Sequence, residues 1–399
     1  MNDLFISKLH INKVRHLENI YIELANDKRM HLILTGKNGS GKTSLLESLF
    51  HTISLTTVPG RFWSFEDDII KPPIGFTNGE LDLHLSTNNM KILSNNMISE
   101  ASHRKDVSSG KLFADFLLIY MPAHRKLQLK TPKAVEKVDL NPESVSAADL
   151  LRYMVFLRLR MLDLRDTGDH QQANNLKNWF DKLQANLSDM LDEPNFKMTF
   201  DSNELNYIVD IPEREPSYLT QMPDGYLSLL YFMAEIMMKM EGSASMAYDI
   251  PGIVLIDEVE THLHVELQRL VLPFLTKMFP RIQFIVTTHS PFVISSLPNA
   301  VVYDLERQIR VEDMSGYSYD AVVEHYYDIN QYSLEANTQF NIYRAMVDKE
   351  NRTPDESEQL MEALTYLNML PAAAAPELFS AFHDIERQRK ERYNNGQDK

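Results

Sequence analysis

Three stretches of this sequence carry residue types that could handle a triphosphate. The first runs Leu32-Ile33-Leu34-Thr35-Gly36-Lys37-Asn38-Gly39-Ser40-Gly41-Lys42-Thr43-Ser44. An apolar run, read as a buried strand, leads into G-x-x-x-x-G-K-T. That in turn leads into Leu45-Leu46-Glu47-Ser48-Leu49-Phe50, which has helical spacing. Strand, glycine-rich loop and helix are the context a P-loop requires. Gly36, Gly39 and Gly41 let the N–H groups of the loop, those of Asn38 and Ser40 included, face one anion, and the helix N-terminus adds its partial positive charge. Lys42 then reaches the β- and γ-phosphates of ATP, Thr43 holds Mg²⁺ through its hydroxyl, and Ser44 adds a phosphate contact.

The second stretch, Ile253-Val254-Leu255-Ile256-Asp257-Glu258, is four apolar residues followed by two acids. At the C-terminal end of a parallel strand, where ligands of open α/β sheets bind, Asp257 would coordinate Mg²⁺ and Glu258 would act as general base toward an attacking water. A strand ending in solvated acids is common, and only the upstream P-loop makes this one informative. In the third, Val286-Thr287-Thr288-His289-Ser290-Pro291, a histidine follows a similar apolar strand. There His289 could touch the γ-phosphate.

The elements that must position these residues follow from periodicity. Phe5 to Ile11 and Ile20 to Leu24 alternate as two strands, Leu81 to Leu85 alternates strictly with Lys91 to Leu93 as its partner, and Phe116 to Tyr120 is a buried strand,. Between about Ser144 and Leu191 the spacing becomes helical: a first helix capped by Ser146 and ending near Arg165, a break at Thr167-Gly168-Asp169, and a second amphipathic helix,. Phe196 to Phe200 and Leu205 to Ile211 read as a hairpin, and Gly225 to Met240 as a methionine-rich helix of adaptable core,. Strands at Ile253 and Gln283 flank a helix from about Val265 to Phe279, which implies a parallel pair, and Val301 to Asp304 reads as an edge strand,. Beyond about Tyr319 the chain is helical, with a break at Pro371 to Pro376 and a tail from Arg387 to Lys399 expected to fray,.

Composition narrows the class. A chain of 399 residues, 44% of them hydrophobic, buries a substantial core, and the absence of cysteine excludes disulfides and thiolate metal sites,. No stretch of about 18 uninterrupted apolar residues is present and Met1-Asn2-Asp3-Leu4 lacks a basic, then apolar, leader, so the expectation is a cytoplasmic protein without a membrane partner,. The net charge of −16 repels polyanions. Contact with nucleic acid would need a partner or a local basic patch, for which Lys126, Lys130, Lys133, Lys137, Arg152, Arg158, Arg160 and Arg165 qualify; such runs are more often solvated faces,.

Gly36 to Thr43, Leu255 to Glu260 with Thr261-His262-Leu263-His264, and Val286 to Pro291 together resemble the P-loop, Walker B with D-loop, and switch histidine of ABC-type ATPases. The variety resembled is the RecF, SMC and OLD-like group, close to the PtuA-like ATPases of bacterial antiphage modules. The opening Leu9-His10-Ile11-Asn12-Lys13-Val14-Arg15 is similar to that group's first strands, which implies that Arg15 lies near the nucleotide. The likeness implies an α/β P-loop NTPase of the ABC/SMC head type, with a mixed sheet, a helical insertion and a helical C-terminal extension. Its parts would be an N-terminal lobe (1–140), the insertion with a signature motif (141–240), a C-terminal lobe (241–310) and the extension (311–399).

The resemblance also implies a signature motif acting across a dimer. Met222-Pro223-Asp224-Gly225-Tyr226-Leu227-Ser228 is its best match, with Asp224 and Gly225 facing the nucleotide and Pro223 where the family has serine. A coupling loop should follow the strand at Phe116, where Gln128 is assigned to the metal and Arg125 is the other possibility. His262 and His264 lie where the D-loop belongs and have no third ligand nearby, so interface packing is the reading preferred to a zinc pair.

The expectation is an ATPase using ATP and Mg²⁺, a homodimer or higher even-numbered oligomer, that controls a separate nucleic-acid-directed effector or nuclease in antiphage defence or DNA maintenance. No nuclease is expected in this chain, since the residues after Asp304 show no strand-borne acidic cluster. The alternative is a nucleotide-dependent scaffold or sensor with little turnover.

Overall fold

The alternating stretches at the start of the chain form an antiparallel hairpin in the computed structural model, β1 (Ile6–Val14) and β2 (Leu17–Glu23). The structure describes residues 5–56, 80–85, 91–93, 116–125, 129, 131–141, 144–191, 193–242, 250–322, 334–349, 351–371 and 376–396. Its contacts divide the chain into two units, Met1–Tyr317 and Ser318–Lys399.

In the first unit β3 (His31–Thr35) runs into α1 (Lys42–Thr56), and β4 (Glu80–Leu85) pairs with both β1 and β5 (Lys91–Leu93), giving a four-stranded antiparallel sheet ordered β2-β1-β4-β5. After β6 (Leu117–Met121), a 3-10 turn (Ala147–Asp149) precedes α2 (Leu150–Asp166), so the helix expected at Ser146 begins with a tighter turn. Ser146 N–H donates to Asp149 Oδ2 at 3.2 Å. Next come α3 (His170–Leu191), a small sheet of β7 (Lys197–Asp201), β8 (Asn206–Asp210) and β9 (Ser217–Tyr218), and then α4 (Asp224–Gly242).

The remaining elements of this unit are β10 (Gly252–Ile256), α5 (Val265–Met278), β11 (Ile282–Thr287), α6 (Pro291–Ile294), β12 (Ala300–Asp304) and β13 (Ile309–Glu312). The main sheet is ordered β13-β12-β3-β11-β10-β6 and is parallel except for the β12–β13 pair. β3, β10 and β11 are buried along their whole length, as strands covered on both faces and rich in apolar residues are,. One expectation needs correction: β12 is interior, because β13 covers its far side. β3, β11 and β10, whose ends lead into Lys42, His289 and Asp257, are consecutive in the parallel sheet.

α1 lies between the two sheets, with Leu45, Leu46 and Leu49 packed in one core with Leu9, Ile22, Leu32, Leu83, Leu255 and Ile285. A buried amide locks the sheets together. Gln283 Oε1 accepts from Ile6 N–H at 2.8 Å, and its Nε2 donates to the carbonyls of Ile6 at 2.9 Å and Met30 at 2.8 Å. The helical insertion is held on α4 by two buried acids that accept hydrogen bonds from it,. Glu235 accepts from Ala147 N–H at 2.7 Å, while Glu241 accepts from Tyr153 Oη at 2.9 Å and Trp179 Nε1 at 3.1 Å. Met233, Met237, Met238 and Met240 are all core residues.

In the second unit, α7 (Tyr319–Ala321) is followed by α8 (Leu334–Met346), α9 (Pro354–Met369) and α10 (Pro376–Gly396), the last three packing around Tyr343, Leu367 and Phe382. Thr353 and Glu356 form a capping box at α9,. The tail expected to fray from Arg387 is helical to Gly396, since Glu, Arg, Gln and Lys are good helix formers,. Among the described residues no helix is long and apolar enough to cross a membrane.

Gly252 permits the tight β10–β6 pairing: a Cβ there would stand 2.3 Å from the Leu117 carbonyl oxygen and 2.7 Å from Leu117 Cβ. Gly252→Ala is expected to lower unfolding free energy by about 1–3 kcal/mol, the usual range for overpacking. An unchanged midpoint in denaturant unfolding would contradict this pairing.

Candidate active site

The phosphate loop begins where β3 stops. Gly36 (φ 135°), Gly39 (φ 84°) and Gly41 (φ 95°) take backbone conformations that L side chains rarely adopt, and this turns the chain sharply from strand to helix,. Lys42, Thr43 and Ser44 form the first turn of α1, whose N–H groups have no intrahelical acceptor,. Lys42 is buried, and its ammonium donates to the carbonyls of Gly36 at 2.8 Å and Lys37 at 3.1 Å. Burial pushes its pKa down, and the nearby carboxylates of Asp257, Glu258, Glu260 and Asp304 oppose that shift. Ser40 Oγ is buried with no hydrogen-bond partner among the described residues, which suits a phosphate oxygen as its acceptor.

Asp257 brings the strand tips together. Its Oδ2 accepts from Thr43 Oγ1 at 2.8 Å and its Oδ1 from Thr287 Oγ1 at 2.5 Å. A hydroxyl and a carboxylate in contact are the oxygen donors Mg²⁺ takes. The next residue, Glu258, sits at φ 45°, in the left-handed region. Its N–H donates to Thr287 Oγ1 at 2.7 Å, and its Oε2 lies 3.4 Å from the Thr261 hydroxyl.

His289 stands just past β11, its N–H held by Glu260 Oε1 at 2.6 Å. Burial and then the charge of Lys42 push the imidazole pKa down, against the pull of Glu260, Glu258 and Asp257, which favours the neutral ring. Lys42, Thr43, Asp257, Glu258 and His289 thus share one place, though they come from three separate stretches of sequence.

Other candidates lie around this centre or apart from it. Arg15 occupies the β1–β2 turn at φ 54°, close enough to Glu47 of α1 to counter the burial that raises that carboxyl's pKa. Beside the loop is a cleft of about 460 Å³, lined by His16, Leu17, Lys37, Asn38, Gly39 and Glu306, with Lys37 Nζ paired to Glu306 at 2.9 Å. Asp224 is exposed at the start of α4. Gly225 is buried against its own chain, where a Cβ would meet Leu267 at 3.2 Å and His264 at 3.4 Å. Gln128 lies outside the described residues, as do Lys126 and Lys130 of the basic series. Arg152 pairs with Asp149 at 2.9 Å and Arg158 lies over Phe180. His262 and His264 acquire no third ligand: among the described residues no group of three His, Cys, Asp or Glu could hold a metal.

Thr287 and Glu260 are contributors that sequence reasoning passed over. A threonine at a strand end carries no signal by itself, and only the strand order places it between the two motifs. Arg125, weighed for the coupling loop, instead grips the acidic pair through its backbone.

Comparison with known proteins gives results for the same region. Residues 130–295, which include Asp257, Glu258 and His289, match the family described as "AAA domain, putative AbiEii toxin, Type IV TA system". The Septu protein PtuA of Bacillus mycoides (strain KBAB4) is 24% identical over 307 residues, covering 73% of this chain and 39% of that protein. The "Retron Ec83 probable ATPase" of Escherichia coli is 37% identical over 105 residues, covering 26% of this chain and 19% of that protein. The chain therefore spans well under half the length of either relative. Among solved structures, the SmcHead bound to the C-winged helix domain of ScpA aligns with 77% of this chain and 96% of its own, at TM-score 0.37 and 13% identity.

Thr287 is fully buried and serves both Asp257 and Glu258. Thr287→Val keeps the shape but leaves a carboxylate oxygen and an N–H unpaired, so it is expected to cost about 1–3 kcal/mol of stability. Equilibrium unfolding measures this, and a cost near zero would mean the threonine bridge contributes nothing.

Proposed function

We propose that this chain, which carries an AAA-family ATPase domain with Septu PtuA and a retron ATPase among its relatives, binds ATP with Mg²⁺ and hydrolyses it at the joined tips of β3, β10 and β11. One observation carries the reading: the Thr43 hydroxyl and the Asp257 carboxylate, 214 residues apart in sequence, meet at 2.8 Å directly beside Lys42. Separate motifs with no common purpose would not converge so closely.

In this reading Lys42 and the first-turn N–H groups of α1 bind the β- and γ-phosphates, assisted by Asn38, Ser40 and Ser44. Arg15 and the neighbouring cleft receive the nucleoside. Thr43 and Asp257 would hold Mg²⁺, with Gln128 the assigned further ligand; the ion neutralises charge on the phosphate oxygens. Glu258 takes a proton from water as its oxygen attacks the γ-phosphorus, and the bond to the ADP oxygen breaks. The neutral His289 donates to the γ-phosphate and so distinguishes ATP from ADP.

Two copies close on two nucleotides, with Asp224 and Gly225 at the N-terminus of α4 meeting the partner's γ-phosphate. Closure is a population shift sized by how much better ATP fits the closed pair. Pro223, lacking the serine hydroxyl of the resembled family, weakens that contact and slows turnover. Kinship with Septu and retron proteins suggests that the cycle controls a separate nuclease or other effector in antiphage defence, and nucleic acid would be met through that partner. The slow-turnover scaffold is the second reading, and Pro223 favours it.

Glu258→Gln separates the two readings. The wild type is expected to hydrolyse ATP, and the variant to bind ATP with unchanged affinity while kcat falls by about 10²- to 10⁴-fold. With ATP and Mg²⁺ the variant should sediment as a dimer. Equal inertness of both proteins would leave the scaffold, and a variant that stays monomeric would remove the dimer.

A further inference from the structure

Arg125 does its work on the backbone of the acidic pair. The residue follows β6, is 9% exposed, and spends its guanidinium on main-chain carbonyls. Nη1 donates to Pro122 O at 2.8 Å and to Asp257 O at 2.6 Å, and Nη2 donates to Glu258 O at 2.7 Å. The rest of the dipeptide is equally accounted for. Asp257 N–H donates to Met121 O at 2.8 Å, Glu258 N–H to Thr287 Oγ1 at 2.7 Å, and Val259 N–H to Thr287 O at 3.1 Å. The segment after β6 and the tip of β11 therefore grip the Asp257–Glu258 backbone from opposite sides.

What the grip holds is an unfavourable conformation. Glu258 sits at φ 45°, and a non-glycine residue persists in that region only where its surroundings over-determine it,. Two charge-assisted hydrogen bonds from one planar fork supply that determination. The same guanidinium lies over the ring of Phe232, with Cζ 4.6 Å from the centroid. Phe232 is fully buried on α4, the helix that begins at Asp224 and whose Gly225 packs against His264. A shift of α4 therefore reaches the Glu258 carbonyl through one side chain.

We infer that Arg125 is the positioning residue of the hydrolytic step: it holds Glu258 in its left-handed conformation and makes that hold depend on where α4 lies. The inference rests on ATP hydrolysis at Glu258. Among the described residues Arg125 hydrogen-bonds main-chain carbonyls and neither a P-loop side chain nor the Asp257 carboxylate, so its role is separable from holding the phosphates. Its loss should appear in kcat and not in affinity.

The test compares wild type, Arg125→Lys and Phe232→Leu by steady-state ATP hydrolysis and by calorimetric titration with ATP and Mg²⁺. Lysine keeps the charge but cannot fork to two carbonyls, so kcat should fall by roughly 10- to 100-fold while Kd stays within about threefold. Phe232→Leu keeps apolar volume and loses the aromatic face, so kcat should fall by about three- to tenfold, again at constant Kd. Should Arg125→Lys fail to fold, Phe232→Leu decides by the same two readouts. Turnover at the wild-type rate in the folded variants, or parallel losses of kcat and affinity, would overturn the positioning role while leaving the ATPase reading intact. A wild type that neither binds nor hydrolyses ATP would remove both.

Discussion

The two oxygens of the Asp257 carboxylate hold the molecule's chemistry in one place. One accepts from Thr43 at the start of α1, the other from Thr287 at the end of β11, and the residue is 2% exposed. A carboxylate so deeply placed is costly unless hydrogen-bonded, and here both oxygens are served by hydroxyls, one from a helix start and one from a strand end,. The register makes this possible: Ile256 lies opposite Val286 and Thr287 opposite Leu34, so the three strands finish level with one another. A slip of one residue in either pairing would turn a donor away from the carboxylate.

Around that fixed point the backbone is strained where the chemistry would occur. Glu258 and His262, only four residues apart, both lie at positive φ, whereas the strand before them is regular and buried. Strain of this kind persists because neighbouring elements over-determine it. Met121 and Arg125 on one side and Thr287 on the other meet that need. Positions at the ends of the two neighbouring strands thus become part of what holds the acids in place.

The sequence disclosed what was local. The P-loop could be read because its glycines, lysine and threonine are contiguous and flanked by a strand and a helix, and Asp257-Glu258 because four apolar residues lead straight into them. The placement of β11 between β3 and β10 was not legible, since strand order depends on long-range pairing that no window of sequence records. Thr287 was hidden for the same reason. β13, whose Ile309-Arg310-Val311-Glu312 is largely exposed, lacks the apolar face that marks interior strands, so β12 was read as the edge. Arg125 stood in plain view as a basic residue after a strand, but its targets are backbone carbonyls, which leave no trace in residue identity.

Gln283 carries a consequence for how the nucleotide cleft can behave. Apolar contact alone would let two sheets glide over one another, but an amide with three directional partners accepts a single alignment,. The hairpin bearing Arg15 and His16 therefore rides on the same frame as the phosphate loop, and the walls between them are shaped during folding and not by an arriving guest. On the other side α4 meets the acidic pair through its own Phe232 ring against the Arg125 guanidinium, a contact with far less directional demand than the Gln283 lock,.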